Sequence, residues 1–175
     1  MATGIFWGSL QYIHNKIKAI DEIKKNNREI LYKTYIAPEE CVNIIFNNQS
    51  RLWERQISDQ DFLTIRLGVG DIPSNLKLNY SIDENVDINN NIYKLMFECI
   101  ENAKIIKDAP LLLSLVEKKF VAVLGKNDEI VYRYVKNILL QLITFQSYDE
   151  LKLVFLLKNN EDGKWNFAKM LPHVW

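Results

Sequence analysis

The stretch Asp61–Pro73, D-F-L-T-I-R-L-G-V-G-D-I-P, leaves the chain few ways to fold. Leu63, Ile65, Leu67 and Val69 fall on one side of a two-residue repeat, and Thr64, Arg66, Gly68 and Gly70 on the other. That alternation predicts a half-buried strand. Gly68 and Gly70 leave room for another backbone to come close, and Asp71-Ile72-Pro73 ends the strand near Val69 or Gly70, because proline brings no ladder donor. The two glycines do not make a dinucleotide loop: Pro73 stands where the third glycine belongs, and no helix follows.

Just upstream, Arg51-Leu52-Trp53-Glu54-Arg55 sets a tryptophan among two arginines and a carboxylate. The expected arrangement has Trp53 packed on the core, with Arg51, Glu54 and Arg55 ion-paired at its edge and a guanidinium on the indole face. Nothing in it is poised for chemistry. The same corner also reads as a contact surface, with Arg51, Trp53, Glu54, Arg55, Asp61 and Arg66 as the interaction candidates.

A chain of 175 residues, 48% hydrophobic and 25% charged, has enough apolar material for one substantial core. Basic and acidic residues both number 22, so no global field draws it to nucleic acid or anionic lipid. The basic clusters visible in the sequence are Lys16, Lys18, Lys24 and Lys25, and Lys118-Lys119. Cys41 and Cys99 each sit among apolar neighbours and read as buried free thiols, which suits a reducing compartment. With His14 and His173 at opposite ends, no zinc spacing exists.

Met1–Tyr12 carries no charge and is too short to span a bilayer. It admits two readings, the end of a transmembrane helix with Trp7 and Tyr12 at the interface, or a packed leader. Leu10, Ile13, Ile17, Ile20 and Ile23 then recur at helical spacing through Ile30 and Leu31, giving either a helix laid on the domain's own core or a stalk that meets a partner. A second helix begins at Pro38, with Glu39 and Glu40 at its positive end and Val42, Ile45 and Phe46 as its apolar side.

After Pro73 the pattern predicts a short strand, Leu76–Tyr80, and a polar loop, Ser81–Asn91. A helix follows with Ile92, Leu95, Met96, Cys99, Ile100 and Ala103 on one face, ending before Asp108-Ala109-Pro110. Leu111–Val116, Phe120–Leu124 and Leu151–Leu157 read as buried strands, the last covered on both sides. Between the second and third lies a helix with Val131, Tyr134, Val135, Ile138 and Leu142 on one face, so the fold class is α/β with a right-handed βαβ unit.

The turn at Gly125 stands where a phosphate-binding loop would be. A working loop runs G-x-x-x-x-G-K-[ST], whereas here Gly125-Lys126-Asn127-Asp128-Glu129 lacks the second glycine and the hydroxyl. Asp128 and Glu129 place carboxylates where polyphosphate would sit, and Asn127 or Asp128 caps the helix itself. Leu151–Leu157 ends without an acid to hold magnesium, so no catalytic residue, cofactor or metal is expected. Two rival readings are a divergent module that still binds ATP through Lys126 and a DNA-translocase accessory module.

Arg51–Arg55 and Asp61–Pro73, with Pro38-Glu39-Glu40-Cys41, the run L-L-Q-L-I-T-F-Q-S-Y-D-E-L-K-L-V at Leu139–Val154 and M-L-P-H-V-W at the end, resemble the membrane-proximal cytosolic domain of the EssC/EccC family. These are FtsK/SpoIIIE-like ATPases of type VII secretion in Gram-positive bacteria, and the likeness covers roughly residues 28 to 175. It implies a P-loop-NTPase-like layered sheet with a degenerate nucleotide loop, a juxtamembrane stalk helix at 1–36 and an incomplete ATPase-like domain at 37–175. It also implies a non-catalytic coupling role on the cytoplasmic face of the cell membrane, in a hexamer. The implied partners are sister subunits and membrane components of the system, with WXG-type substrates met only through downstream modules, ATP only in the parent family, and no nucleic acid.

Overall fold

The computed structural model describes residues 2–79, 91–157 and 162–174. Its elements are α1 (Ala2–Thr34), α2 (Pro38–Phe46), β1 (Thr64–Pro73), α3 (Asn91–Ala103), β2 (Ile105–Ser114), α4 (Asp128–Phe145) and α5 (Asp162–Trp165), the last running into a 3-10 turn at Asn166–Met170. The fold is mixed helix and sheet, consistent with an α/β class. β1 and β2 form a two-stranded sheet. Their pairing is antiparallel: Ser74 N–H meets the Lys104 carbonyl at one end, and Leu115 N–H meets the Leu63 carbonyl at the other. The chain divides into two compact units, residues 1–34 with 68–111, and residues 35–67 with 112–175.

In the first unit α1 packs on α3. Ile13, Ile17 and Ile20 are half-buried as the helical spacing predicts, while Ile23 and Ile30 are exposed. Lys24 continues the packed face, its Nζ donating to the Asn102 carbonyl 2.7 Å away at the end of α3. A cation at the negative end of a helix is favourably placed. Tyr32 Oη donates to the Asp108 carbonyl. Gly70 supplies a close approach, since a Cβ there would lie 3.0 Å from the Leu111 side chain, but Gly68 faces open space.

The second unit is built on α2 and α4. Ile36, Cys41, Ile44 and Phe145 form its buried centre, with Leu52 and Leu140 against it. α2 begins at Pro38 as expected but buries Cys41 and Ile44. The apolar side assigned to Val42, Ile45 and Phe46 is the exposed one, because the i, i+3 pair that meets Phe145 lies a third of a turn away. At the far end of the unit an aromatic group seats α5 on α4: Trp165 stands edge-on to Tyr132 at 4.9 Å, and Tyr132 Oη donates to the Lys164 carbonyl.

Several expected strands form otherwise. β1 runs on to Pro73, which is tolerated as the last residue of a strand. Its burial does not alternate throughout: Thr64 and Ile65 are both buried and Val69 is exposed, while Leu63, just before the strand, takes a φ of 53°. β2 starts at Ile105, ahead of the predicted Leu111, and takes in Asp108-Ala109-Pro110. Residues 75–79 are not a strand; Tyr80 and most of the Ser81–Asn91 loop lie outside the described residues.

Neither Phe120–Leu124 nor Leu151–Leu157 is a covered strand. The second makes one parallel bridge, Leu153 to Val174, and Phe120, Leu124 and Leu156 are 89%, 92% and 94% exposed. The predicted βαβ unit is therefore present as its helix alone among the described residues.

The free side of β1 is met by α4 side chains. Gln141 Oε1 accepts from Arg66 N–H at 2.8 Å while its Nε2 donates to the Arg66 carbonyl at 3.0 Å, so one carboxamide replaces a neighbouring strand. Tyr134 Oη donates to the next carbonyl, Leu67, at 3.0 Å. Gln141→Ala strips both bonds from a part-buried peptide and is expected to lower unfolding free energy by about 2 kcal/mol in urea titrations. Gln141→Glu keeps the acceptor but turns an oxygen on the Arg66 carbonyl, and falls between the two.

Candidate functional site

The two ends of α4 carry the residues singled out in the sequence. At its N-terminus, Asn127 is the cap, its Oδ1 accepting from Ile130 N–H at 2.9 Å, while its backbone carbonyl accepts from Val131 N–H. Asp128 and Glu129 occupy the first turn, with Glu129 reaching Arg133 at 3.7 Å. Gly125 is needed for packing: a Cβ there would stand 2.7 Å from Val131 Cγ2. Of the amides at this end of α4, those of Ile130 and Val131 are thus taken up by Asn127.

An open groove of about 370 Å³ lies beside this turn, lined by Leu67, Leu113, Val123, Val131, Tyr134 and Ile138 among others. No cation lines it, and the Tyr134 hydroxyl is already engaged. These residues do not fit a magnesium polyphosphate. Gly125, Lys126, Asn127 and Asp128 sit together in the turn that leads into α4.

At the other end of α4 the helix's last carbonyls need partners. The R-L-W-E-R corner supplies most of them. Trp53 N–H donates to Thr144 at 2.8 Å and its indole Nε1 to Ile143 at 3.2 Å; Arg55 N–H donates to Phe145 at 3.0 Å. His173 Nε2 lies 2.9 Å from the Gln146 carbonyl, which requires the proton on Nε2 because a carbonyl only accepts. Trp53 adopts a φ of 59° to make its bonds, a strained state for a bulky residue that persists where the surroundings over-determine it. Trp53, Tyr148 and His173 close the corner as edge-on aromatics with centroids 5.3–6.5 Å apart.

The roles within the corner differ from those expected. Arg55, not Trp53, is the buried centre: it is 4% exposed, against 39% for the tryptophan. Its guanidinium lies 4.2 Å from the Phe145 ring centroid and 5.1 Å from that of Tyr35, and Nη1 donates to the Thr64 carbonyl at 2.8 Å. Nε stands 2.9 Å from Asp61 Oδ2, an ion pair without hydrogen-bond alignment. Arg51 lies over the Phe145 ring and Arg55 over those of Phe145 and Tyr35. Arg51 and Glu54 form the expected pair, at 2.7 Å on the surface. Arg66 reaches the Tyr35 carbonyl at 3.1 Å.

Burial lowers the Arg55 pKa from its ordinary value, opposed by the Asp61 carboxylate, while the hydrogen bond to Glu54 raises that of Arg51. Burial likewise pushes up the Cys41 thiol and the Tyr35 phenol. His173 and Gln141 were not foreseen as parts of this region. The one trace of them in the sequence was that their segments belong to the resembling blocks.

Arg55→Ala leaves Asp61 without its partner and opens a cavity beside Phe145; the expected loss is about 3–5 kcal/mol in denaturant unfolding. Trp53→Phe removes the indole donor and should cost about 1 kcal/mol. Because Cys41 and Tyr35 ionise less readily folded than unfolded, their contribution is complete below the thiol range. It falls as pH rises through roughly 9 and beyond, which thermal unfolding between pH 7 and 10.5 will register as a decreasing Tm. Cys41 in the native chain should resist thiol reagents at pH 8.

No protein-family model matches the chain. It is 28% identical over 164 residues to the ESX secretion system protein YukB of Bacillus subtilis, and 26% identical over 165 residues to the ESX secretion system protein EccC of Geobacillus thermodenitrificans. It is 27% identical over 163 residues to the type VII secretion system protein EssC of Staphylococcus aureus. Each match takes in 92–93% of this chain and 11% of the relative, so the chain spans about a tenth of the length of the curated relatives it matches. Along nearly its whole length, then, the chain is homologous to a segment of the type VII secretion proteins EssC, EccC and YukB.

Proposed function

We propose that this chain is a non-catalytic coupling and scaffold segment of a type VII secretion protein, joining a juxtamembrane stalk at residues 1–36 to motor modules and contacting neighbouring subunits on the cytoplasmic face of the membrane. The observation that carries this reading is the self-capped N-terminus of α4, where Asn127 and two first-turn carboxylates stand in the place of phosphate. A domain at the motor's position that has given up the polyphosphate site keeps only mechanical uses. Among the described residues no helix is long and apolar enough to cross a membrane, so attachment through the stalk remains part of the proposal.

Two surfaces support a role in assembly. The outward side of α2 shows Val42, Ile45 and Phe46 to solvent, the last 85% exposed. Phe120–Leu124 and Leu151–Leu157 carry exposed apolar side chains and, among the described residues, hardly any strand pairing. Unpaired apolar segments of this kind want further strands, which is what a layered P-loop-like sheet in 37–175 would provide. Arg51 and Glu54, paired at the surface beside the half-exposed Trp53, offer a polar rim for a subunit contact.

Titration of the purified chain with fluorescently labelled ATP and magnesium is expected to give no saturable binding below millimolar concentration. Micromolar binding abolished by Lys126→Ala would establish the divergent nucleotide module instead. In the intact secretion protein, Phe46→Asp is expected to reduce export of substrate several-fold while leaving ATP hydrolysis by the other modules unchanged. Equal loss of both activities, or of neither, contradicts the coupling role.

A further inference from the structure

Charge that is balanced over the whole chain is not balanced locally. In the unit formed by residues 1–34 and 68–111, Lys24, Lys25 and Arg28 of α1 and Lys107 of β2 line one cleft of about 180 Å³, with Ile106 at its wall and Asp21 as its one acid. Lys107 comes from a strand roughly eighty positions away in sequence, so folding gathers what the α1 charges alone do not show. Lys24 is held by its bond to the Asn102 carbonyl, which fixes one wall of the cleft. Lys25, Arg28 and Lys107 make no ion pair among the described residues. Four cations around one concavity repel one another, and an anion seated between them removes that repulsion while gaining attraction from each.

A second cleft of about 360 Å³ shares Asp21, Lys24 and Lys107 and continues along the α1–α3 seam over Ile17, Ile20 and Leu95, with Glu98 as a further acid. The cations are therefore concentrated in the first cleft, and the second is mixed polar and apolar. We propose that the cationic cleft binds a phosphate group, held between the ammonium groups of Lys24, Lys25 and Lys107 and the forked guanidinium of Arg28. The planar guanidinium fork of arginine can hold two phosphate oxygens at once and lysine supplies point charge, so the pair of residue types matches this ligand. The site lies apart from the Gly125 turn, and it is independent of the coupling role proposed above.

The test uses the full chain and two phosphate sources. Sodium pyrophosphate titrated into isotopically labelled protein reports a soluble ligand through shifts at Lys25, Arg28 and Lys107; co-sedimentation with phosphatidylglycerol vesicles, against phosphatidylcholine, reports a lipid headgroup. Binding in either arm that weakens at least tenfold in Lys25→Glu/Arg28→Glu, and measurably in Lys107→Ala, supports the site and names its source. Lys118→Glu/Lys119→Glu changes net charge equally at a distant exposed pair and should leave binding as it was. The proposal is overturned if neither probe binds, if binding is indifferent to the cleft variants, or if the distant pair weakens it as much.

Discussion

The C-terminal end of α4 is the constraint that the second unit is arranged to satisfy. A helix that ends inside a protein leaves carbonyls that water cannot reach, and each one left alone costs on the order of 1–3 kcal/mol. Here four consecutive carbonyls, Ile143 to Gln146, are answered by Trp53 twice, Arg55 and His173. Three of those donors come from one five-residue corner, which explains why that corner accepts a left-handed tryptophan. Strain of about 1–3 kcal/mol at Trp53 is offset by the bonds it makes possible. The cationic side chains of Arg51 and Arg55 lie against the Phe145 ring at the same place, where the helix dipole is negative.

From that anchor the order of the rest follows. Arg55, fixed through its own N–H, turns its guanidinium inward between Phe145 and Tyr35 and holds Asp61 and the Thr64 carbonyl. Leu63, between Asp61 and Thr64, takes a positive φ, and β1 starts one residue later. The next residues are then taken up by α4 itself, through Gln141 and Tyr134. A single helix thus terminates its own dipole on the corner and serves as the neighbour of a strand. Arg55 thus meets two rings, a carboxylate and a carbonyl, and removing its partner would leave a charge that is 4% exposed without compensation.

Much of this was legible in the sequence, and what was not has specific causes. Pro38 with two glutamates, and Asn127 ahead of two acids, announce helix starts by local chemistry, which needs no tertiary context. The side of α2 that is buried was misjudged, because Val42, Ile45 and Phe46 are more apolar than Cys41 and Ile44, and hydrophobicity alone cannot say which face a partner helix will meet. The same rule misplaced Trp53 at the core and Arg55 at its edge; a buried arginine becomes favourable only once two rings and a carboxylate surround it, and those come from positions 35, 61 and 145. Apolar runs at 120–124 and 151–157 carry a strand preference, but they do not form strands here, because pairing takes a neighbour, which residue patterns do not supply.

Both ends of α4 are closed by the protein's own groups, and this bears on what the helix can transmit. A nucleotide-dependent helix has an N-terminus whose amides change partners as phosphate arrives and leaves, so the helix moves with the chemical cycle. In α4 Asn127 caps Ile130 N–H at one end, and the Trp53–Arg55 corner bonds the last turn at the other, so both ends are tied to groups of the chain itself. Under the coupling role proposed above, such a helix would carry displacement imposed elsewhere, and the groups that tie its ends come largely from two short segments, residues 51–55 and 125–129.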